Sequence, residues 1–153
     1  MIQHKLLWLC LASTLALFVT SELFAQADVI EKRQKLMKDN SADAKAIKKG
    51  VEEKDYATVE TKARDIMGAM DQVLDLFLKG STSEKSRALP AIWDKWDEFS
   101  KHPGKAKRAA QELAEAARAK DESQVDFKVK ALGAACKGCH DPFRAPEKKK
   151  NGG

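Results

Sequence analysis

Residues that interrupt helices or form cross-links are scarce in this sequence. Its 153 residues include only 8 glycines, 4 prolines and 3 cysteines. No stretch shows the two-residue alternation of a strand, which argues against a fold built on sheets. No glycine-rich loop of the phosphate-binding type and no Ser-His-Asp arrangement can be recognised, so we expect a protein that is not an enzyme.

Long apolar runs are equally scarce, and the charge-free run at the start is only fourteen residues, LLWLCLASTLALFV. It follows Lys5 and precedes the small-x-small pattern Ala25-Gln26-Ala27, an order typical of secretory signal peptides. An uncleaved anchor is the alternative, but a spanning helix needs roughly 20 apolar residues. We predict a signal peptide over residues 1–27, cleavage after Ala27, a periplasmic location and no stable membrane insertion afterwards.

Cleavage would leave only two cysteines, Cys136 and Cys139, in the mature chain. An exported protein lies in an oxidising compartment, where disulfides can form. A disulfide between these two would close a loop with only two intervening residues, and stabilisation grows with loop length. The pair therefore indicates a chemical role rather than a structural one.

The rest of the chain predicts an all-α fold of four helices. We expect them at about 28–49, 55–79, 90–120 and from 121 onward, each starting or ending at a capping residue, glycine or proline. The third helix should be interrupted at Pro103, and Pro142 should bias Asp141 away from helical geometry. Short connections predict an antiparallel up-down-up-down four-helix bundle over residues 28–147, followed by a basic disordered tail over 148–153.

The motif CKGCH at residues 136–140 lies on the predicted last helix. Its two cysteines and His140 are spaced i, i+3 and i+4, so all three project from one face. C-x-x-C-H is the attachment signature of c-type haem. Zinc would lack a fourth ligand, and a redox dithiol would be expected in a βαβ context that is absent here. We therefore predict one haem c, with its iron, attached covalently through Cys136 and Cys139.

A second protein ligand to the iron is not determined by spacing. The candidates are Met37, Met67, Met70 and His102. Methionine commonly fills gaps in a core, and each of the three methionines fits that alternative as well.

Three segments resemble the class II cytochromes c, the family that includes the cytochromes c prime. They are EKRQKLMKDN at 31–40, IWDKWDEF at 92–99 and CKGCHDPFR at 136–144, and the resemblance spans about 28–144. It implies a bundle with a covalently attached haem whose iron is bound by His140. The low-spin members have a methionine ligand four residues after an arginine of the first helix, which here is Met37 after Arg33.

The resemblance also implies roles for two arginines. Arg33 would pair with a haem propionate, although it could equally belong to a solvated, lysine-rich helix face. Arg144 would lie near the proximal side of the haem, although it could be an ordinary cation at a helix end.

If His140 and Met37 both bind the iron, no position is free for substrate, and the protein carries single electrons. The net charge of +5 then predicts a redox partner with an acidic docking surface. We expect no nucleic-acid binding from an exported haem protein, and a homodimer is a state that the resemblance allows. The alternative function is a five-coordinate, cytochrome c prime-like protein that binds nitric oxide or carbon monoxide.

Overall fold

The structure, a computed structural model, describes residues 2–84 and 86–147, and the side chains of 27–84 and 86–147. In chain order the helices are α1 (Ile2–Glu52), α2 (Tyr56–Met70), α3 (Ala91–Asp94), α4 (Trp96–Phe99), α5 (His102–Ala119) and α6 (Glu122–Phe143), with a 3₁₀ turn at Leu74–Leu76. The long helices pack in sequence, α1 on α2, α2 on α5 and α5 on α6, which confirms the predicted bundle. The predicted tail, 148–153, lies outside the described residues.

Helix α1 begins well before the predicted start at Asp28. In this chain the helix continues from Ile2 through the predicted cleavage point, so Asp28 does not cap it. The Asp28 carboxylate instead accepts a hydrogen bond of 2.6 Å from Lys32 Nζ, one turn further on. Among the described residues no helix is long and apolar enough to cross a membrane. Cleavage after Ala27 stays a prediction.

The connection between α1 and α2 is tight because Gly50 lies directly against α2. A Cβ at Gly50 would be 3.0 Å from Val59 Cγ2 and 3.1 Å from the Asp55 carbonyl oxygen. Asp55, the predicted start of the second helix, caps α2, since its carboxylate accepts from the Thr58 amide at 3.1 Å and from the Thr58 hydroxyl at 2.6 Å.

Helix α2 ends at Met70, nine residues earlier than predicted. The next apolar residues, Val73 and Phe77, pack against residues of other segments instead of extending the helix. The Leu76 carbonyl, which a longer helix would use internally, faces the guanidinium of Arg33 at 3.4 Å. Tertiary contacts therefore override the apolar periodicity in this region.

The two prolines differ in their effect on helix continuity. Pro103 lies in the first turn of α5, and the predicted interruption before it is present. Pro142 lies inside the last turn of α6, and Asp141 is helical, contrary to the prediction. The segment at 87–89 fixes the end of α6. The Leu89 amide donates to the Phe143 carbonyl at 3.0 Å, and the Ala145 amide donates to the Arg87 carbonyl at 2.8 Å.

The core consists of two groups of buried side chains. The helical cluster lies among the long helices and comprises Ile47, Val59, Ala63, Ile66, Ala110, Leu113, Ala114, Ala117, Val125 and Leu132. The aromatic cluster lies where the 71–101 connection meets the end of α6 and comprises Val73, Ile92, Phe99 and Phe143. Met70 contacts both clusters.

Candidate haem site

Helix α6 presents the CKGCH motif between the two clusters. Val125, Leu132 and Phe143 are buried and fix the rotation of the helix. Asp121 caps it as predicted, accepting from the Gln124 amide at 3.1 Å. Both cysteines are half-buried and free of a disulfide. The register of α6 therefore holds the motif at the border of the core.

The two thiols contact different parts of the core. Cys136 packs against the helical cluster and Cys139 against the aromatic cluster. In the part of the chain that the structure describes, no three His, Cys, Asp or Glu side chains gather into a metal-binding group. Two thiols that contact different apolar clusters are better suited to attach the edge of a large flat ring than to bind a single ion. The residues present therefore fit haem.

Burial sets the protonation of the motif. It raises the pKa of Cys139 to about 11, with a smaller contribution from Cys136, and it raises the pKa of Cys136 as well. Both groups are therefore thiols at neutral pH. Burial also lowers the pKa of His140, and the charges of Arg144 and Arg87 lower it further. The imidazole is thus neutral, which is the form that binds a metal.

Met37 lies on the same part of the core as Cys139. Both pack against the aromatic cluster, as do Leu36, Met70 and Trp93. His102 is also close, with its ring 5.7 Å from that of Phe143. Met67 packs against the helical cluster. Of the candidate second ligands, Met37, Met70 and His102 therefore share the aromatic cluster with a haem-attachment candidate, and Met67 does not.

Arg33 is buried, only 3 % exposed, which excludes the alternative of a solvated helix face for this residue. Its guanidinium donates to Ser81 Oγ at 2.8 Å, to the Ser81 carbonyl at 2.5 Å and to Ser86 Oγ at 2.7 Å. It also lies 4.9 Å from the centre of the Phe77 ring. Burial lowers the pKa of Arg33. Arg33 thus fastens the 76–86 segment to α1; its pairing with a propionate stays a prediction.

Arg144 lies at the C-terminal cap of α6. Its amide donates to the His140 carbonyl at 3.0 Å, and its backbone pairs with Ala88. Its side chain is partly exposed and lies 4.0 Å from the carboxylate of Glu147. Burial and then the charge of Arg87 lower the pKa of Arg144. Arg144 is therefore both a residue at the helix end and a neighbour of His140.

Comparison with known proteins identifies the fold and the family. The cytochrome C′ family pattern matches residues 28–144. The cytochrome c′ of Rhodospirillum rubrum is 30 % identical over 143 residues, covering 88 % of this chain and 96 % of that protein. The cytochrome c′ of Pararhodospirillum photometricum is 39 % identical over 83 residues, covering 54 % of this chain but only 66 % of that protein. A solved cytochrome c′ described as having ligand-controlled dimer dissociation is 27 % identical with a TM-score of 0.73, covering 79 % of this chain and 97 % of that one.

This chain belongs to the cytochrome c′ family. The predicted class II assignment is therefore confirmed, and so is the cofactor, one covalent haem c with its iron. The narrower assignment to the low-spin, methionine-ligated members finds no support in these comparisons.

Two residues of this cytochrome c′ family member were not predicted, one close to His140 and one on α1. Arg87 donates to the Ala145 carbonyl and to Glu147, each at 2.8 Å, and its charge acts on His140. It lies in the irregular 71–101 connection, where no periodic pattern could indicate it. Asn40 lies one helical turn after Met37, and both polar atoms of its side chain are buried. The sequence signal that could have indicated Asn40 is a polar residue at a position on the inner face of α1.

Proposed function

We propose that this protein is exported to the periplasm and binds a small diatomic gas, nitric oxide or carbon monoxide, on the haem face opposite His140. It would act by binding and not as an enzyme. The observation that carries the proposal is the apolar surface shared by Met37 and Cys139, built on the aromatic cluster. An uncharged gas can enter such surroundings, whereas a charged substrate would lose hydration without compensation.

The chain's own residues would hold the cofactor as follows. Each thiol, of Cys136 and of Cys139, would add across one haem vinyl group, with its sulfur bonding to one vinyl carbon and its proton going to the other. The neutral imidazole of His140 would bind the iron. When bound, haem supplies an iron that can take a gas ligand or exchange one electron. Arg87 and Arg144 would keep the His140 side positively charged.

A homodimer is part of this proposal. Support comes from the solved cytochrome c′ whose dimer dissociates under ligand control. We expect the exported protein to sediment as a dimer and the dimer to weaken when carbon monoxide is added. Sedimentation velocity over a range of protein concentrations, with and without the gas, tests this. A single monomeric species at all concentrations would rule out the dimer while leaving gas binding intact.

An electron carrier is the second candidate function. The observation that favours it is the thioether of Met37, half-buried and on the same cluster as Cys139. If that sulfur binds the iron, both axial positions are filled and the protein can only exchange electrons. Its redox partner would present an acidic docking surface to this chain, whose net charge is +5.

One spectrum separates the two functions. We would record the visible absorption of the haem-loaded protein, oxidised and reduced, with and without carbon monoxide. Gas binding predicts a high-spin spectrum that shifts when carbon monoxide is added. A low-spin ferric spectrum with a methionine-to-iron charge-transfer band, and no response to the gas, would establish the electron carrier instead.

A further inference from the structure

We infer that Asn40 donates a hydrogen bond to the gas on the open haem face and so determines how long the gas stays bound. This inference rests on the proposed gas-binding function. The amide nitrogen and oxygen of the Asn40 side chain are both buried, and neither has a hydrogen-bond partner among the residues whose side chains the structure describes. Buried polar groups are nearly always paired, so an unpaired amide requires an explanation.

The position of Asn40 along α1 provides that explanation. Met37, one turn earlier, packs on the aromatic cluster, and Ile47, two turns later, belongs to the helical cluster. The three residues are three and seven positions apart, so they share one face of the helix. Asn40 therefore lies on the inner face, at the level where one cluster gives way to the other.

The cysteines of α6 span the same border. Cys136 contacts the helical cluster and Cys139 the aromatic cluster, the clusters on either side of Asn40. A haem attached to both cysteines must extend across this border. Met37 and Asn40 of α1 would then line the haem on one side, and His140 of α6 would hold the iron from the other. Met37 and Cys139 offer no N–H donor to a gas in this region, and the Asn40 amide does.

The amide can serve a bound gas in a way that its apolar neighbours cannot. Hydrogen-bond donors on the open side of a haem affect which ligands bind and how firmly. An N–H directed at the outer atom of a bound diatomic attracts electron density from the iron onto the ligand and strengthens the attachment. Because an amide does not titrate, the effect should be independent of pH between pH 5 and 9.

The test compares Asn40→Leu and Asn40→Ala with wild type, all loaded with haem. Leucine fills the space of the amide, whereas alanine leaves part of it empty. The steric effects of the two variants should therefore be opposite, whereas both variants lose the N–H donor. We expect both variants to raise the infrared C–O stretching frequency of the carbon monoxide complex. We also expect nitric oxide to dissociate about fivefold faster, the loss of one ordinary hydrogen bond. Lys38→Gln, on the exposed face of the same helix, should match wild type.

Thermal unfolding of the same proteins, free of gas, provides a readout independent of ligand binding. If the amide has no partner in the fold, Asn40→Leu should be at least as stable as wild type, because no hydrogen bond is lost. A marked loss of stability in Asn40→Leu would show that Asn40 is paired within the protein and would overturn the inference.

The outcomes separate the inference from the proposed function. If wild type binds carbon monoxide and both Asn40 variants keep its stretching frequency and dissociation rate, the inference fails and gas binding stands. If the two variants shift the frequency in opposite directions, shape and not hydrogen bonding is responsible, and the inference again fails. If wild type does not bind the gas at all, the proposed function fails as well.

Discussion

Among the described residues, Arg33 is a buried side chain that donates several hydrogen bonds. Its guanidinium joins α1 to Ser81 and Ser86, which lie some fifty residues later in the chain. We expect Arg33→Met to destabilise the protein by about 3 kcal/mol, because the Ser81 carbonyl and two hydroxyls lose a charged donor. Urea unfolding followed by circular dichroism measures the change.

Lys32→Met is the matched control for Arg33→Met. Lys32 is adjacent on the helix and forms an exposed ion pair with Asp28. Its replacement should change stability by less than about 0.5 kcal/mol. Equal effects of the two substitutions would contradict the role assigned to Arg33.

Met37 determines which of the two proposed functions applies. On the gas-binding proposal its thioether only lines the open face, so Met37→Ala should leave the ferric iron high-spin and the carbon monoxide complex intact. Electron paramagnetic resonance of the ferric protein reports the spin state directly. A change from low spin in wild type to high spin in Met37→Ala would identify the sulfur as a ligand, and the electron carrier would replace the gas-binding protein.

Of the described glycines, Gly50 lies closest to atoms of another segment, at the contact between α1 and α2. A methyl group there would press on Val59 and on the Asp55 carbonyl, and the Asp55 amide already donates to the Gly50 carbonyl at 2.7 Å. Overpacking should outweigh the better helix propensity of alanine, so Gly50→Ala should cost about 1 kcal/mol.

Gly133→Ala on α6 is the counterpart of Gly50→Ala. A Cβ at Gly133 would meet nothing within 4 Å, so alanine should stabilise the helix by up to about 1 kcal/mol. Chemical unfolding of the two variants should therefore give opposite signs. A gain in stability from both would mean that the α1–α2 contact can relax.

The cap of α6 predicts a pH-dependent contribution to stability. The Ser123 hydroxyl and then the Gln124 amide, both donating to Asp121, lower the pKa of that carboxyl. Because the folded pKa is below the unfolded one, the stabilisation is present above the ordinary value near 3.8 and is lost as the pH falls through the folded pKa. Asp121→Ala should thus melt below wild type at pH 7, and the two should converge below pH 3.8.

Asp121→Asn separates the charge from the geometry of this cap. Asparagine can still accept from the Gln124 amide, so it should retain part of the stability at pH 7 without the acid-dependent loss. If the difference between wild type and Asp121→Ala were the same at pH 3 and pH 7, the carboxylate charge would have no role.

The caps and helix faces of this fold could be predicted because they depend on neighbouring residues. Asp121 caps α6 where the sequence indicated, α2 begins next to the predicted Asp55, and the predicted interruption at Pro103 coincides with the first turn of α5. The end of α2 could not be predicted, because Val73 and Phe77 continue an apolar periodicity while packing against distant residues. Capture of the Leu76 carbonyl by Arg33 is likewise a contact between segments far apart in the chain.

The haem site also combines features that a local sequence pattern predicts with features that depend on distant residues. C-x-x-C-H is a local signal, and it indicated the cofactor correctly. The burial of Arg33 against Ser81 depends on how the 71–101 connection folds back, which no local pattern describes. Asn40 interrupts the apolar face of α1, but only the structure shows that its amide is buried and has no partner among the described side chains.

The two clusters suggest how the cofactor contributes to the fold. Met70 contacts both of them, and α1 and α6 touch at few points. A haem attached at Cys136 and Cys139 would lie across this weak junction and add apolar contacts to both sides. The helical cluster, formed mainly by α2, α5 and α6, has its own dense packing and depends less on the cofactor.

The double variant Cys136→Ala/Cys139→Ala tests this dependence. We expect a chain without covalent haem whose amides exchange hydrogen much faster in residues 71–99 and at the end of α6, where the aromatic cluster lies. Amides in α5, around Ala110 and Leu113, should remain protected because the helical cluster persists. Hydrogen exchange with mass spectrometry, against haem-loaded wild type, resolves the two regions. Equal loss of protection in both would mean that the protein folds as one unit around its haem; unchanged protection in both would mean that the haem adds no stability to the bundle.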